Sequence, residues 1–410
     1  MKSRWFIVVL LGTGGGMLLV QYLTVHPLDM SLYLVLTMLV LGVLLLFLVR
    51  RFSGWFRRLA WLLAVICFVG GYWFMTGRFL AREDTRELPL LTRTAGDPGR
   101  GTLAIVYFTH GEPATYDPIG WINQFREFDE QGIAFVPFPV RPIFAFMLRQ
   151  KYLKVGRSDH HRMHAQMLNS LERAYRSGGD STTRFYISFL DDEPRPDAAV
   201  IRALNDGASR IIVSEVFLTI SNHTAEGEEL IRNLHIEERV GVPVQFTGPL
   251  WDSGLLKEMF VRRANANLGG TDKSRVGVLL VGHGQPKEWD AEWPTETSQE
   301  LGFREEILKS LERDGFRREN LGLGWMEFRE PKVAPAVEQM GRNGIRRLLY
   351  FSAAISADAI HSQFDTPELV GEARLPDSVV TVNLGAWNDD PLVIRAIKEK
   401  IDAVRLKSTQ

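Results

Sequence analysis

Three stretches without a charged residue lie within the first 77 positions: 5–25 (WFIVVLLGTGGGMLLVQYLTV), 31–49 (SLYLVLTMLVLGVLLLFLV) and 59–77 (LAWLLAVICFVGGYWFMTG). Each is close to the roughly 20 residues that carry a helix across a bilayer. A cleaved signal peptide would account for the first only. The pattern therefore predicts a three-span transmembrane anchor over 1–77, with the lipid bilayer as a partner. Gly12-Thr13-Gly14-Gly15-Gly16 lies inside the first run. It lacks the strand-turn-helix setting of a phosphate loop, and small residues packing against a neighbouring span explain it better.

Orientation follows from the basic residues. Lys2 and Arg4 precede the first run, the loop HPLDM has neither Lys nor Arg, and the loop RRFSGWFRR has Arg50, Arg51, Arg57 and Arg58. The positive-inside rule puts the N-terminus and second loop in the cytoplasm and everything after residue 77 outside it. Arg78, Arg82 and Arg86 argue for the opposite side, although Glu83, Asp84 and Glu87 are interleaved with them.

Residues 78–101 are polar, with Pro89 and Pro98, and read as a linker. Beyond them, short apolar runs at 103–108, 133–138, 184–190, 210–217, 242–248, 276–282, 321–326, 346–353 and 379–385 alternate with helix candidates at 161–177, 196–206, 225–238, 253–268, 299–313, 332–343 and 391–405. Strands alternating with helices predict parallel sheets with right-handed crossovers. A repeat divides this region in two. The segment 187–229 parallels 323–365: both carry Glu-Pro, a helix ending in Gly, an apolar strand and then a histidine. Earlier in each half, YFTHGEP (107–113) parallels LVGHGQP (280–286). The expected fold is α/β: two Rossmann-like lobes, 102–260 and 261–410, facing each other across a cleft.

The net charge of −1, from 48 basic and 49 acidic residues, gives no reason to expect a nucleic-acid partner. The single cysteine, Cys67, excludes an intrachain disulfide and a cysteine-rich zinc site. Ligands of parallel sheets bind beyond the carboxyl ends of strands. His283, Glu327 and His361 follow three expected strands of the second lobe, so they are expected to converge. Two imidazoles and a carboxylate suit divalent iron, cobalt, nickel or zinc and leave coordination positions open. Taken singly, each has a plainer reading: a turn histidine, a helix-capping or Arg329-paired glutamate, a histidine at a helix start. Asp290, Glu292 and Glu296 read as a solvated face. The run Ser158-Asp159-His160-His161-Arg162-Met163-His164 reads as a capped surface helix start.

Four segments resemble the class II tetrapyrrole chelatases, the ferrochelatases and sirohydrochlorin cobalt or iron chelatases. KYLKVGRSDHHRMHAQ (151–166) is similar to that family's Tyr-x-x-Ile-Gly-Gly-x-Ser-Pro segment. VGHGQP (281–286) is similar to its Ser-x-His-x-x-Pro strand end, and 324–351 to its Gln-Ser-x-x-Gly-Pro segment. SADAIHSQFD (356–365) is similar to its Asp-His-x-x-x-x-Asp segment. The sequence departs from the pattern at Gly156-Arg157-Ser158-Asp159, and at Gln363, where protoporphyrin enzymes carry glutamate. The resemblance spans about 103–405. It implies a membrane-anchored lyase that inserts a substrate metal, Fe²⁺ or Co²⁺, into a tetrapyrrole macrocycle for haem, sirohaem or cobalamin synthesis, with no organic cofactor. It implies His283, Glu327 and His361 as metal ligands and catalytic groups. His110, His223, Gly282, Gly284 and Tyr152 are the further candidates for contact with the ring, the glycines because they let a flat molecule approach the backbone. A two-lobed receptor that binds haem or metal without turnover would share these features.

Overall fold

The computed structural model describes residues 2–407 apart from 84, 85 and 134. The chain forms two compact units, one of residues 1–86 with 115–157, the other of 87–114 with 158–410.

The first unit holds the three apolar helices α1 (Lys2–Thr24), α2 (Met30–Arg51) and α3 (Gly54–Leu80). All three are long and apolar enough to cross a membrane. The glycine-rich stretch is a helix contact. A Cβ at Gly16 would lie 2.0 Å from the Phe68 carbonyl oxygen, and one at Gly71 would lie 2.1 Å from that of Thr13. Backbones this close leave no room for a side chain. The same unit contains α4 (Ile119–Glu130) and α5 (Arg141–Val155), neither of which was expected. Of the run 133–138, expected as a strand, residue 134 lies outside the described residues, and the rest is loop leading into a short 3-10 turn at Phe138–Val140. Pro137 and Pro139 cannot donate to a strand ladder. The expected first lobe is thus interrupted, because 115–157 pack with the apolar helices instead.

The second unit carries the repeat. Its first half runs β1 (Thr102–Thr109), α6 (His160–Ser177), β2 (Arg184–Phe189), α7 (Pro196–Asn205), β3 (Ala208–Glu215), α8 (Asn222–Arg232), α9 (Ile236–Val240) and β4 (Val244–Phe246). After α10 (Gly254–Ala266), the second half runs β5 (Val276–Gly282), α11 (Pro294–Arg313), β6 (Leu321–Trp325), α12 (Val333–Arg342), β7 (Arg347–Ser352), α13 (Thr366–Gly371), β8 (Val380–Asn383) and α14 (Pro391–Lys407). The sheets have equivalent strand orders, β2-β1-β3-β4 and β6-β5-β7-β8, with every pairing parallel. Central strands buried on both faces explain why β5 reads VGVLLVG with no alternation.

One apolar core joins the halves. Ile105, Tyr107 and Ile212 of the first sheet share it with Val278, Leu280, Leu349 and Phe351 of the second, through Leu171 of α6, Phe260 of α10, Ile307 of α11 and Ile397 of α14. The lobe boundary expected between 260 and 261 therefore falls inside α10, whose apolar face belongs to both lobes. Residues 90–93, expected as linker, are tied to the first lobe: Thr92 N bonds Asn205 at 2.9 Å and Arg93 reaches the Ala208 carbonyl.

Candidate functional site

In each half, three chain segments leave the carboxyl edge of a parallel sheet side by side. Met326 N donates to Gly282 O (2.9 Å) and Glu327 N to His283 O (3.2 Å), so the ends of β5 and β6 stay paired past the strands. Leu190 N donates to Thr109 O (2.9 Å) in the same way beyond β1 and β2. This sets His110 against His283 and Asp191 against Glu327 as repeat equivalents.

The turn after β5 is tightly held. Glu300 of α11 accepts from His283 N at 2.9 Å. A Cβ at Gly282 would stand 2.1 Å from that carboxylate, and one at Gly284 (φ +84°) would stand 2.7 Å from the Glu327 carbonyl oxygen. Both glycines are therefore required by the protein's own atoms. Arg304, fully buried, donates to the carbonyls of Leu280 (3.2 Å) and Gly324 (2.9 Å) and lies 3.9 Å over the Trp325 ring. Asp290 is no solvated face: it binds Gln285 (2.8 Å), Thr297 (2.8 Å) and Arg329. Arg329 in turn donates to Gln285 O at 3.1 Å, which locks the histidine turn to the glutamate turn. Glu296 also departs from a solvated reading, since burial, reinforced by Glu300 and Asp290, pushes its carboxyl up to about 8.

The imidazoles have defined proton positions. His283 Nδ1 is 2.7 Å from Gly284 O, and His110 Nδ1 is 2.8 Å from Gly111 O. A carbonyl only accepts, so Nδ1 bears the hydrogen in both, and Nε2 of neutral His283 keeps its lone pair, whereas Nε2 of His110 faces the Asp191 carboxylate, itself an acceptor. Burial, and then the charge of His361, lower the pKa of His283. His361 differs. Burial opposes its protonation, but the Asp365 carboxylate, 2.8 Å from Nδ1, outweighs burial together with Glu327 and Glu112, and its pKa is raised. A carboxylate behind an imidazole fixes the ring and makes the far nitrogen a stronger base.

The rings stand in two pairs. His110 and His223 have centroids 4.9 Å apart, and His283 and His361 are 5.2 Å apart. In the first pair, His223 is held well below its ordinary pKa by burial and then by the charges of His110 and of His283 in the second pair. Asp191 lies 3.2 Å from His110 Nε2. Glu112, on the turn after His110, accepts from Ile360 N at 2.9 Å and so ties the first lobe's turn to the segment bearing His361. Among the described residues, no three His, Cys, Asp or Glu side chains stand in a ready-made metal cage.

Tyr152 lies on α5, in the unit of α1–α3, buried beside Tyr116 with ring centroids 6.3 Å apart. One expectation changes. The helix start at 158–164 is not at the surface, since His160 and His164 are 3% and 0% exposed. His164 bonds Tyr107 Oη (2.9 Å), Thr109 Oγ1 (3.2 Å) and Ser356 Oγ (3.3 Å), and burial lowers its pKa to about 3. His161 stacks on Phe189 at 4.1 Å and meets Asp192 at 2.9 Å. The i, i+4 spacing of His160 and His164 was the available signal; a partner tyrosine on another strand was not readable from it. Glu112, Glu300 and Asp365 were not singled out either, and only the Asp365 spacing, four after His361, was visible in the sequence.

No sequence-family pattern matches the chain, and no curated protein matches it. Solved structures that superpose on it include SirB from Bacillus subtilis with Fe³⁺, at TM-score 0.48 and 14% identity over 73% of this chain and 94% of that one. The sirohydrochlorin chelatase SirB from Bacillus subtilis subspecies spizizenii in complex with cobalt superposes at TM-score 0.42 and 12% identity, with the same coverage. A multi-domain Deinococcus radiodurans protein with structural similarity to chelatases gives 0.46 and 16%, over 73% of this chain and 54% of that one.

Proposed function

We propose that this protein inserts a divalent metal ion, Fe²⁺ or Co²⁺, into a tetrapyrrole macrocycle, and that the chemistry takes place at the two imidazole pairs. Those pairs, which begin with the histidines just past the carboxyl ends of β1 and β5, are the observation that carries the reading. Insertion exchanges two pyrrole protons for one M²⁺, so the site must hold a metal loosely and accept two protons. His283 Nε2 is the metal ligand and first proton acceptor: its lowered pKa keeps it neutral near pH 7. Glu327, held beside His283 by its backbone bond, completes the coordination or passes the proton on. His361, made basic by Asp365, is the second nitrogen donor and the site where a proton comes to rest. His110 and His223 meet the ring from the first lobe. No organic cofactor is needed. The distribution of arginines around α1–α3 favours a location of the α/β unit outside the cytoplasm.

The test is turnover by the full chain in detergent, supplied with Fe²⁺ or Co²⁺ and either sirohydrochlorin or protoporphyrin. Many equivalents of metallated ring per protein, followed by absorption, support the proposal. A single bound equivalent with no further conversion would instead identify a receptor.

A further inference from the structure

Residues 115–157, between β1 and α6, belong to the unit of α1–α3, and two sets of contacts fix their height along those helices. At the lower height, Tyr72 Oη donates to Pro139 O at 2.7 Å, and the Trp73 and Phe138 rings are 5.0 Å apart. Tyr72 precedes the end of α3 at Leu80 by eight residues, about 12 Å of helix. At the upper height, Arg149 Nη1 donates to the carbonyls of Tyr22 and Val25, both at 2.8 Å, and so caps the last turn of α1. Pro139 and Arg149 are ten residues apart, about 15 Å of helix. The two heights agree: α5 climbs beside α1 from well inside the apolar bundle to its end.

The faces of α5 differ. Ala145 is buried with Val20, Phe79 and Ile122, and Phe146 lies 5.9 Å from Tyr22. On the other side Val140, Ile143 and Met147, spaced three and four apart on one helix face, are 42%, 44% and 58% exposed. Trp73, itself 52% exposed, meets Phe138, so the open face of α3 continues into this stripe. Arg141 is the only charged residue between 135 and 148. Its guanidinium turns to Asp129, in a hollow beside Gly77 and Leu80 at the end of α3. A charge directed to the bundle's end, and apolar side chains directed outward below it, is the pattern of an element dipping into a leaflet.

We infer that residues 135–149 are a half-membrane arm, with Val140, Ile143 and Met147 in contact with the acyl chains of the leaflet that surrounds the ends of α1 and α3. The inference rests on α1–α3 being membrane spans, and its test separates the two. The full chain, with Cys67→Ala, is reconstituted in phosphatidylcholine vesicles. Single cysteines replace Ile143, Met147, Val35 on the open face of α2, or Lys309 on α11, and each is labelled with bimane. Brominated acyl chains should quench the label at 143 and 147 at least half as strongly as at 35, whereas aqueous iodide quenches only that at 309. Lipid quenching at 35 with iodide quenching at 143 and 147 would place the arm in water and overturn the inference. Quenching at 143 and 147 by neither agent would mean protein covers the stripe, such as a second copy, and would also overturn it. No lipid quenching at 35 would remove the spans themselves, and the arm with them.

Discussion

Glu215 at the end of β3 and Ser352 at the end of β7 hold the same register against the central strands, opposite Phe108 and Val281 respectively. In the second lobe Ser352 Oγ meets Thr366 Oγ1 at 2.9 Å. In the first, Glu228 takes the place of that threonine; burial, and then the charge of Glu228, push the Glu215 carboxyl up to about 8. The position four after the candidate histidine also differs. After His361 it is Asp365, bonded to the ring. After His223 it is Gly227, where a Cβ would stand 2.0 Å from the Phe108 ring. One helical turn past the candidate histidine, the second lobe thus sets an acid against that imidazole, whereas the first has a glycine there and its acid, Asp191, faces His110 instead. The duplicated backbone decides where imidazoles stand, and the residue one helical turn later decides how basic they are.

The sharpest way to break this asymmetry is to delete the equivalent histidines one at a time. His283→Ala should lower metal insertion by on the order of 10²–10⁴-fold with unchanged circular dichroism, if His283 is the proton acceptor and ligand proposed above. His110→Ala should cost less than about tenfold, since no acid raises the basicity of its neighbour His223. Equal losses would make the lobes chemically equivalent.

The buried acid pair is read through stability. The folded pKa of Glu215 lies above its unfolded value, so the folded state retains a proton that the unfolded state releases. Stability should therefore fall as pH rises from about 4.5 to about 8 and then level off. Chemical unfolding of Glu215→Gln should lack this contribution, which is on the order of a few kcal/mol at pH 9. Parallel curves for the two proteins would refute the shared-proton pair.

Gly227→Ala should destabilise the α/β unit by about 1–3 kcal/mol through overpacking against Phe108, measured as a lowered denaturant midpoint. An unchanged midpoint would show that the first lobe could have accepted an aspartate there. A second kinetic test is Asp365→Asn. Without the carboxylate, the His361 pKa should drop, so insertion should fall by about tenfold on the plateau at neutral to alkaline pH while the acid limb of the pH–rate profile moves to lower pH. A profile that does not move would leave Asp365 a structural residue.

The α/β repeat was legible because buried parallel strands are short unbroken apolar runs. The run 276–282 coincides with β5, and 321–326 lies within one residue of β6. The strand-end positions of His283 and Glu327 follow from that pattern, whereas His361 lies past β7 at the start of a π-helical turn, His361–Asp365. What escaped was the segment 115–157. Its residues 133–148 are apolar on every side, with prolines among aromatics, so no 3.6-residue period stands out from them. Only α1 and α3, distant in sequence, distinguish an inner face from an outer one. The burial of His164 was hidden for a related reason: its partners Tyr107, Thr109 and Ser356 come from β1 and from the loop after β7.

At the root of that segment, Ser158 N donates to Ala114 O at 3.0 Å. The chain leaves the α/β unit and re-enters it through a single doorway, with its two ends in hydrogen-bonding contact. Such a segment is a cassette: it can be exchanged, shortened or excised without re-threading a strand of either sheet. The history of residues 115–157 and the history of the paired lobes can then be separate, joined at one doorway that evolution, or a protein engineer, can cut and reseal.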